Sequence, residues 1–170
     1  MPAPVMWYTA RAVFEAGYDV LGVEYGYYAN RVELDLDDLD YLIEETAGAV
    51  NSVVKGHYSN VVLVGKSLGT IVQSEIRKEL AFPAPNQVFL TPLKKSIPAM
   101  VKCEHALVIV GDQDNAFGES DRSELSPFSH VELSVIPGAD HRLETEDYRF
   151  SVDVLKQVAV LCENFCRKID

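Results

Sequence analysis

Cysteine, basic residues and long apolar runs are all scarce in this chain, and each scarcity excludes something. Its 170 residues include 3 cysteines, an odd number that suits no disulfide framework, and the N-terminus has no charged-then-apolar leader. A reducing, cytoplasmic setting is therefore expected. Lys and Arg number 15 against 26 Asp and Glu, for a formal net charge of −11. That excess of negative charge works against a nucleic-acid backbone or an anionic membrane as partner. No apolar run is long enough to span a bilayer, and there is neither an internal repeat nor a low-complexity linker. With 48% hydrophobic residues, the length fits a single domain over residues 1–170 with a substantial core.

What is present is an alternation of two periodicities. Val5, Tyr8, Thr9, Ala12, Val13 and Ala16 form a helical stripe stopped by Gly17, and residues 18–25 alternate like a strand. Leu36, Leu39, Ile43, Ala47, Val50 and Val54 mark a long amphipathic helix ending at Gly56. A β-branched run over 61–64 reads as a strand buried on both faces, and a helix follows it, closed by Pro83 and Pro85. Further strands are expected at 86–91, 104–111 and 130–136, with a helical or irregular segment at 118–127. The last helix starts near Thr145 and carries Val152, Leu155, Val158, Cys162 and Phe165 on one face. Strands alternating with helices predict an α/β fold, a mostly parallel doubly wound sheet with helices on both faces. Ligands bind such sheets at the carboxyl ends of the strands.

The central strand ends in Gly65-Lys66-Ser67-Leu68-Gly69, a G-x-S-x-G turn leading straight into a helix. Glycines two residues either side of Ser67 let the backbone fold back without a Cβ crowding strand or helix. The bland alternative is a strand-to-helix turn with a serine N-cap. A phosphate loop is disfavoured, because the first glycine of G-x-x-x-x-G-K-[ST] falls on Asn60 and the residues between are strand-like. Asp112 and Asp114 follow another strand, and His141 follows the last. A serine hydroxyl needs an imidazole to take its proton and a carboxylate to orient that imidazole; this chain offers all three at strand ends. His57, His105 and His130 fall at the opposite face and are assigned no chemistry. Cys162 and Cys166, one helical turn apart, read as small core residues rather than a metal pair.

The elbow at 65–69, the G-x-x-D at 111–114, the loop histidine in Gly138-Ala-Asp-His141 and the order Ser, Asp, His together resemble the α/β-hydrolase family over nearly the whole chain. The resemblance implies Ser67 as nucleophile, Asp114 as the acid in preference to Asp112, His141 as general base, and the amide of Leu68 as one oxyanion donor. No metal and no cofactor are expected. Tyr25, Tyr27 and Phe117, at strand ends, are candidates to line the pocket. Lys66 is expected to pack or pair near the turn.

The family pattern also has a strand before the first helix of this chain, lying between 18–25 and 60–65, followed by a loop that supplies the other oxyanion donor. The sequence reads as an N-terminally shortened version of that pattern. The expectation is an interrupted sheet, and hence a dimer or larger assembly with the N-terminal region at or near the contact, or a natural chain that starts upstream of Met1. Two functions follow: a small cytoplasmic serine hydrolase without a cap, acting on an ester or thioester, or a hydrolase-like binding or scaffold protein with an incomplete oxyanion hole.

Overall fold

A computed structural model of the chain describes residues 4–30, 39–54, 58–84 and 86–169. In chain order the helices and strands are α1 (Pro4–Glu15), a single turn α2 (Gly26–Ala29), α3 (Leu39–Val53), β1 (Val62–Ser67), α4 (Leu68–Ile76), β2 (Asn86–Pro92), α5 (Ile97–Met100), β3 (His105–Gly111), α6 (Glu119–Leu125), β4 (Val131–Ile136) and α7 (Tyr148–Ile169). The four strands form one parallel sheet in the order β1-β2-β3-β4. Between β2 and β3 the chain is partly helical, a 3₁₀ turn at Lys94–Ser96 running into α5.

Period two along the strands sorts the core into two faces. Val88, Leu90, Leu107, Ile109 and Ile136 point to one side, where Val5 and Val13 of α1 and Val154, Val158, Cys162 and Phe165 of α7 cover them. Phe89, Ala106, Val108 and Val110 point to the other, against Ile97, Met100, Phe117 and Leu125. Alongside, α3 and α4 bury Leu42, Ala47, Val72 and Ile76 over Leu63 of β1. Helices thus lie on both faces, as a parallel sheet requires. β2 and the body of β3 are buried on both faces, which is why they read as unbroken apolar runs. All three cysteines are buried free thiols. Among the described residues no helix is long and apolar enough to cross a membrane.

Two expectations are corrected. Residues 18–25 form no strand: the segment leaves α1 at Gly17 and runs exposed, with Val20, Leu21 and Val23 each more than a third accessible. Alternating apolar residues make a strand only where a neighbour takes up their backbone groups. Among the described residues no strand pairs with this segment, and β1 is an edge of their sheet rather than the border of an internal gap. The buried stripe of α7 runs through Val154, Val158, Cys162, Phe165 and Cys166, whereas Val152 is exposed. That helix begins at Tyr148, and Thr145 lies before it, its hydroxyl donating to the Asp147 carbonyl. The expected features at Leu36, Gly56, His57 and Pro85 lie outside the described residues.

Candidate active site

β1 runs without a break into α4, and Ser67 is the residue at the bend. Its backbone is forced to φ 51° and ψ −118°, a region that costs a non-glycine residue on the order of 1–3 kcal/mol and persists only where the surroundings impose it. The glycines explain how the bend closes. A Cβ on Gly65 would stand 2.4 Å from the Gly69 carbonyl oxygen and 2.5 Å from Gln73 Oε1. The Ser67 hydroxyl makes no cap bond to the helix, which disposes of the N-cap reading; it lies instead 2.8 Å from His141 Nε2.

The other ring nitrogen of His141 faces Asp114, with Nδ1 2.9 Å from Oδ2 and 3.0 Å from Oδ1. The Asp114 carboxylate is fully buried, and it also accepts the Ala116 amide at 2.8 Å. His141 is one-third exposed, so this end of the sheet is open to solvent. Ser67, His141 and Asp114 therefore form one continuous hydrogen-bonded chain from a strained hydroxyl to a buried carboxylate. A chain of this kind can draw a proton off the serine oxygen and balance the charge left on the imidazole.

Asp112 does something else. Its carboxylate accepts the Gly138 amide at 2.7 Å, while the amides of Asp112 and Gln113 donate to Ile136 and Ala139. These bonds tie the end of β3 to the loop that carries His141. Lys66 secures the same loop from the other side, its ammonium donating to the His141 carbonyl at 3.0 Å. Burial lowers the Lys66 pKa, against the pull of Asp114, Asp140 and Glu144. Just past the histidine, Asp140 accepts the amides of Arg142 and Glu144 and pairs with the Arg142 guanidinium. Burial pushes the Asp140 carboxyl up, and those donors outweigh it, leaving the group below its ordinary value. Neither the Lys66 bond nor the Asp112 clamp has a signature in sequence, since each joins residues far apart in the chain.

Of the proposed lining residues, Phe117 is fully buried in the core cluster that holds Phe89, Met100, Val108 and Leu125. Its place at the end of the β3 region was legible; its direction was not. Tyr25 and Tyr27 stack at 5.9 Å beside Leu68, Leu42 and Val72, and the Tyr25 hydroxyl reaches the first turn of α4. His105 is exposed at the start of β3, and His130 bonds the Val101 carbonyl at 3.2 Å, both at the amino ends of strands. A cavity of about 510 Å³ is lined by Lys66, Arg142, Val5, Ser151 and Leu155 among others. It borders the chain neighbours of Ser67 and His141, but neither of those two lines it.

A four-stranded parallel sheet wrapped by helices, with a serine elbow at one strand end and its histidine and aspartate on loops after later strands, is an α/β-hydrolase fold. Solved structures agree. An alpha-beta serine hydrolase homologue from Coxiella burnetii superposes with a TM-score of 0.67 at 19% identity, covering 96% of this chain and 76% of that one. A serine hydrolase without a lid from Xanthomonas campestris gives 0.61 at 19% identity, covering 93% and 72%. The esterase domain of a Rhodothermus marinus protein gives 0.65 at 14% identity, covering 98% and 80%. No protein-family profile and no curated protein sequence matches the chain.

Proposed function

We propose that the chain is a serine hydrolase that cleaves a small ester or thioester through an acyl-enzyme on Ser67, with His141 as general base and Asp114 as its orienting acid. The observation that carries this reading is the Asp114–His141–Ser67 hydrogen-bond chain ending on a strained serine. The Ser67 oxygen attacks the acyl carbon as its proton passes to His141 Nε2, and the π pair of the carbonyl moves onto its oxygen. That oxyanion lies by the Leu68 amide, at the positive end of the α4 dipole. As the tetrahedral species collapses, the bond to the leaving group breaks and His141 returns the proton to the departing alcohol or thiol. Water then repeats the cycle, with His141 again as base, and releases the acid. The likeness to an esterase domain and to serine hydrolases supports this class of substrate. The open site, with no cap between β2 and β3, suits a small or partly enclosed one.

A fluorophosphonate probe tests the reading: Ser67 should be labelled, and labelling should vanish in Ser67→Ala and in His141→Ala. Absence of labelling in the wild-type chain would favour a hydrolase-like binding or scaffold protein. That second reading draws on the edge position of β1, which among the described residues has β2 on one side and no strand on the other to lead into the family's other oxyanion loop. Three buried free thiols support a cytoplasmic setting, and the charge of −11 favours neither nucleic acid nor an anionic membrane as partner. A homo-oligomer is part of the same proposal, supported by the open edge of β1 and by the exposed Trp7, Tyr8 and Phe14 of α1; light scattering that returns the mass of one chain would reject it.

A further inference from the structure

The oxyanion formed at Ser67 needs more than the Leu68 amide, and the structure holds an unengaged donor beside it. A Cβ built on Gly69 would find a single atom within 4 Å, the Tyr25 hydroxyl oxygen at 3.4 Å. Side chains on a helix lean towards its N-terminus, so a hydroxyl at that point stands over the end of α4 that carries the Leu68 amide. Among the described residues the Tyr25 hydroxyl has no hydrogen-bond partner, although Tyr25 is half-buried. By contrast, the Tyr18 hydroxyl donates to the Cys166 carbonyl and that of Tyr58 to Asp19.

We propose that the Tyr25 hydroxyl is the second oxyanion donor, acting with the Leu68 amide in place of a backbone N–H; this inference rests on the serine-hydrolase reading. The ring is held for the task. It stacks on Tyr27 with planes 18° apart and packs in the cluster that contains Leu68. Directly after it the chain turns into α2 at Gly26, where an added Cβ would come within 3.4 Å of Glu45 Oε1 on α3, so the turn sits close against that helix. Burial, then the neighbouring Tyr27, pushes the Tyr25 phenol up to about 12. It therefore stays protonated and able to donate throughout the working range. When Ser67 attacks, the developing negative charge on the substrate oxygen gains a neutral O–H donor aimed at it, and no proton need be transferred from tyrosine. Gly69 has a second use in this arrangement, since its lack of a side chain leaves the hydroxyl uncovered.

The test uses the wild-type chain and Tyr25→Phe, which keeps the ring and its stacking. Loss of one oxyanion donor lowers rate by about a hundred- to a thousandfold, so kcat for a short p-nitrophenyl ester should fall by that factor with KM little changed. Affinity for an alkyl boronic acid, whose serine adduct carries the tetrahedral oxygen, should fall with kcat. Wild-type kcat and boronate affinity in Tyr25→Phe, with Ser67 still labelled by phosphonate, overturn the assignment and leave the hydrolase reading intact. Absence of turnover, labelling and boronate binding in the wild-type chain overturns both. If Tyr25→Phe does not fold, 3,5-difluorotyrosine at position 25 preserves the shape and acidifies the phenol. Its rate should then decline at lower alkaline pH than the wild type, and an unshifted alkaline limb would count against the assignment.

Discussion

A Cβ on Gly111 would stand 1.9 Å from the carbonyl oxygen of Ala139, so the end of β3 and the loop bearing His141 meet backbone to backbone. Nothing with a side chain fits at this junction. Gly111→Ala must push the loop away from β3, straining the bonds from Asp112 and Gln113 to Ile136 and Ala139. Overpacking of this sort costs about 1–3 kcal/mol, and a displacement near 1 Å at the reacting atoms costs about a hundredfold in rate. A thermal melt and an ester assay on the variant should both fall; wild-type values in both would mean that the loop position does not depend on this contact.

The two aspartates after β3 should separate cleanly. Asp114→Asn removes the acceptor that holds the His141 ring and should lower kcat by about ten-thousandfold, as expected when the imidazole is left in the wrong tautomer. Asp112→Asn keeps an oxygen that can accept the Gly138 amide, now 2.7 Å from the carboxylate, and should retain most of the rate. Comparing kcat for the two variants decides the matter, and the reverse ranking would move the catalytic role to Asp112.

How much of this was legible in sequence depends on whether a feature is local. Gly65 announced the bend because the crowding it avoids is local, at Gly69 and Gln73, whereas Gly69 faces Tyr25 from a distant part of the chain. The order Ser67, Asp114, His141 was readable because each stands at or just after the carboxyl end of a strand, β1, β3 and β4 in turn. Residues 18–25 misled because alternation records a preference, while a strand also needs a partner, and that is a property of the whole sheet. Val152 misled for a similar reason: the face of α7 is fixed by what covers Leu107 and Ile109, and Val152 lies outside that contact. The bond from Lys66 to the His141 carbonyl joins positions 75 residues apart, and no spacing rule encodes it.

Ser67 and His141 act as a unit, so their removal should not add. Ser67→Ala and His141→Ala should each abolish hydrolysis of a short p-nitrophenyl ester, and the double variant should be no slower than either alone. Additive losses would mean that a different base serves Ser67.

Alkali should destabilise the fold, because several buried groups hold protons that the unfolded chain gives up. Burial pushes the Cys103 thiol up to about 11 from 9.0, with Arg77 acting in the opposite direction, and the Cys166 thiol up to about 11. Burial likewise takes Cys162 to about 12, and burial with Tyr27 takes Tyr25 from 10.0 to about 12. For each group the folded value exceeds the unfolded one. The stabilisation is therefore complete below about pH 9 and is lost progressively as pH rises towards 11 and 12. Lys66 acts in the opposite sense: burial lowers its pKa below 10.5, so its penalty is relieved as pH climbs through that window. One amine set against three thiols and a phenol leaves the net slope negative. The midpoint of urea unfolding should hold steady from neutral pH to about 9 and then decline. Replacing Cys162 and Cys166 by Ala in one variant should flatten that decline, whereas an equally steep decline would place the alkaline sensitivity in other groups.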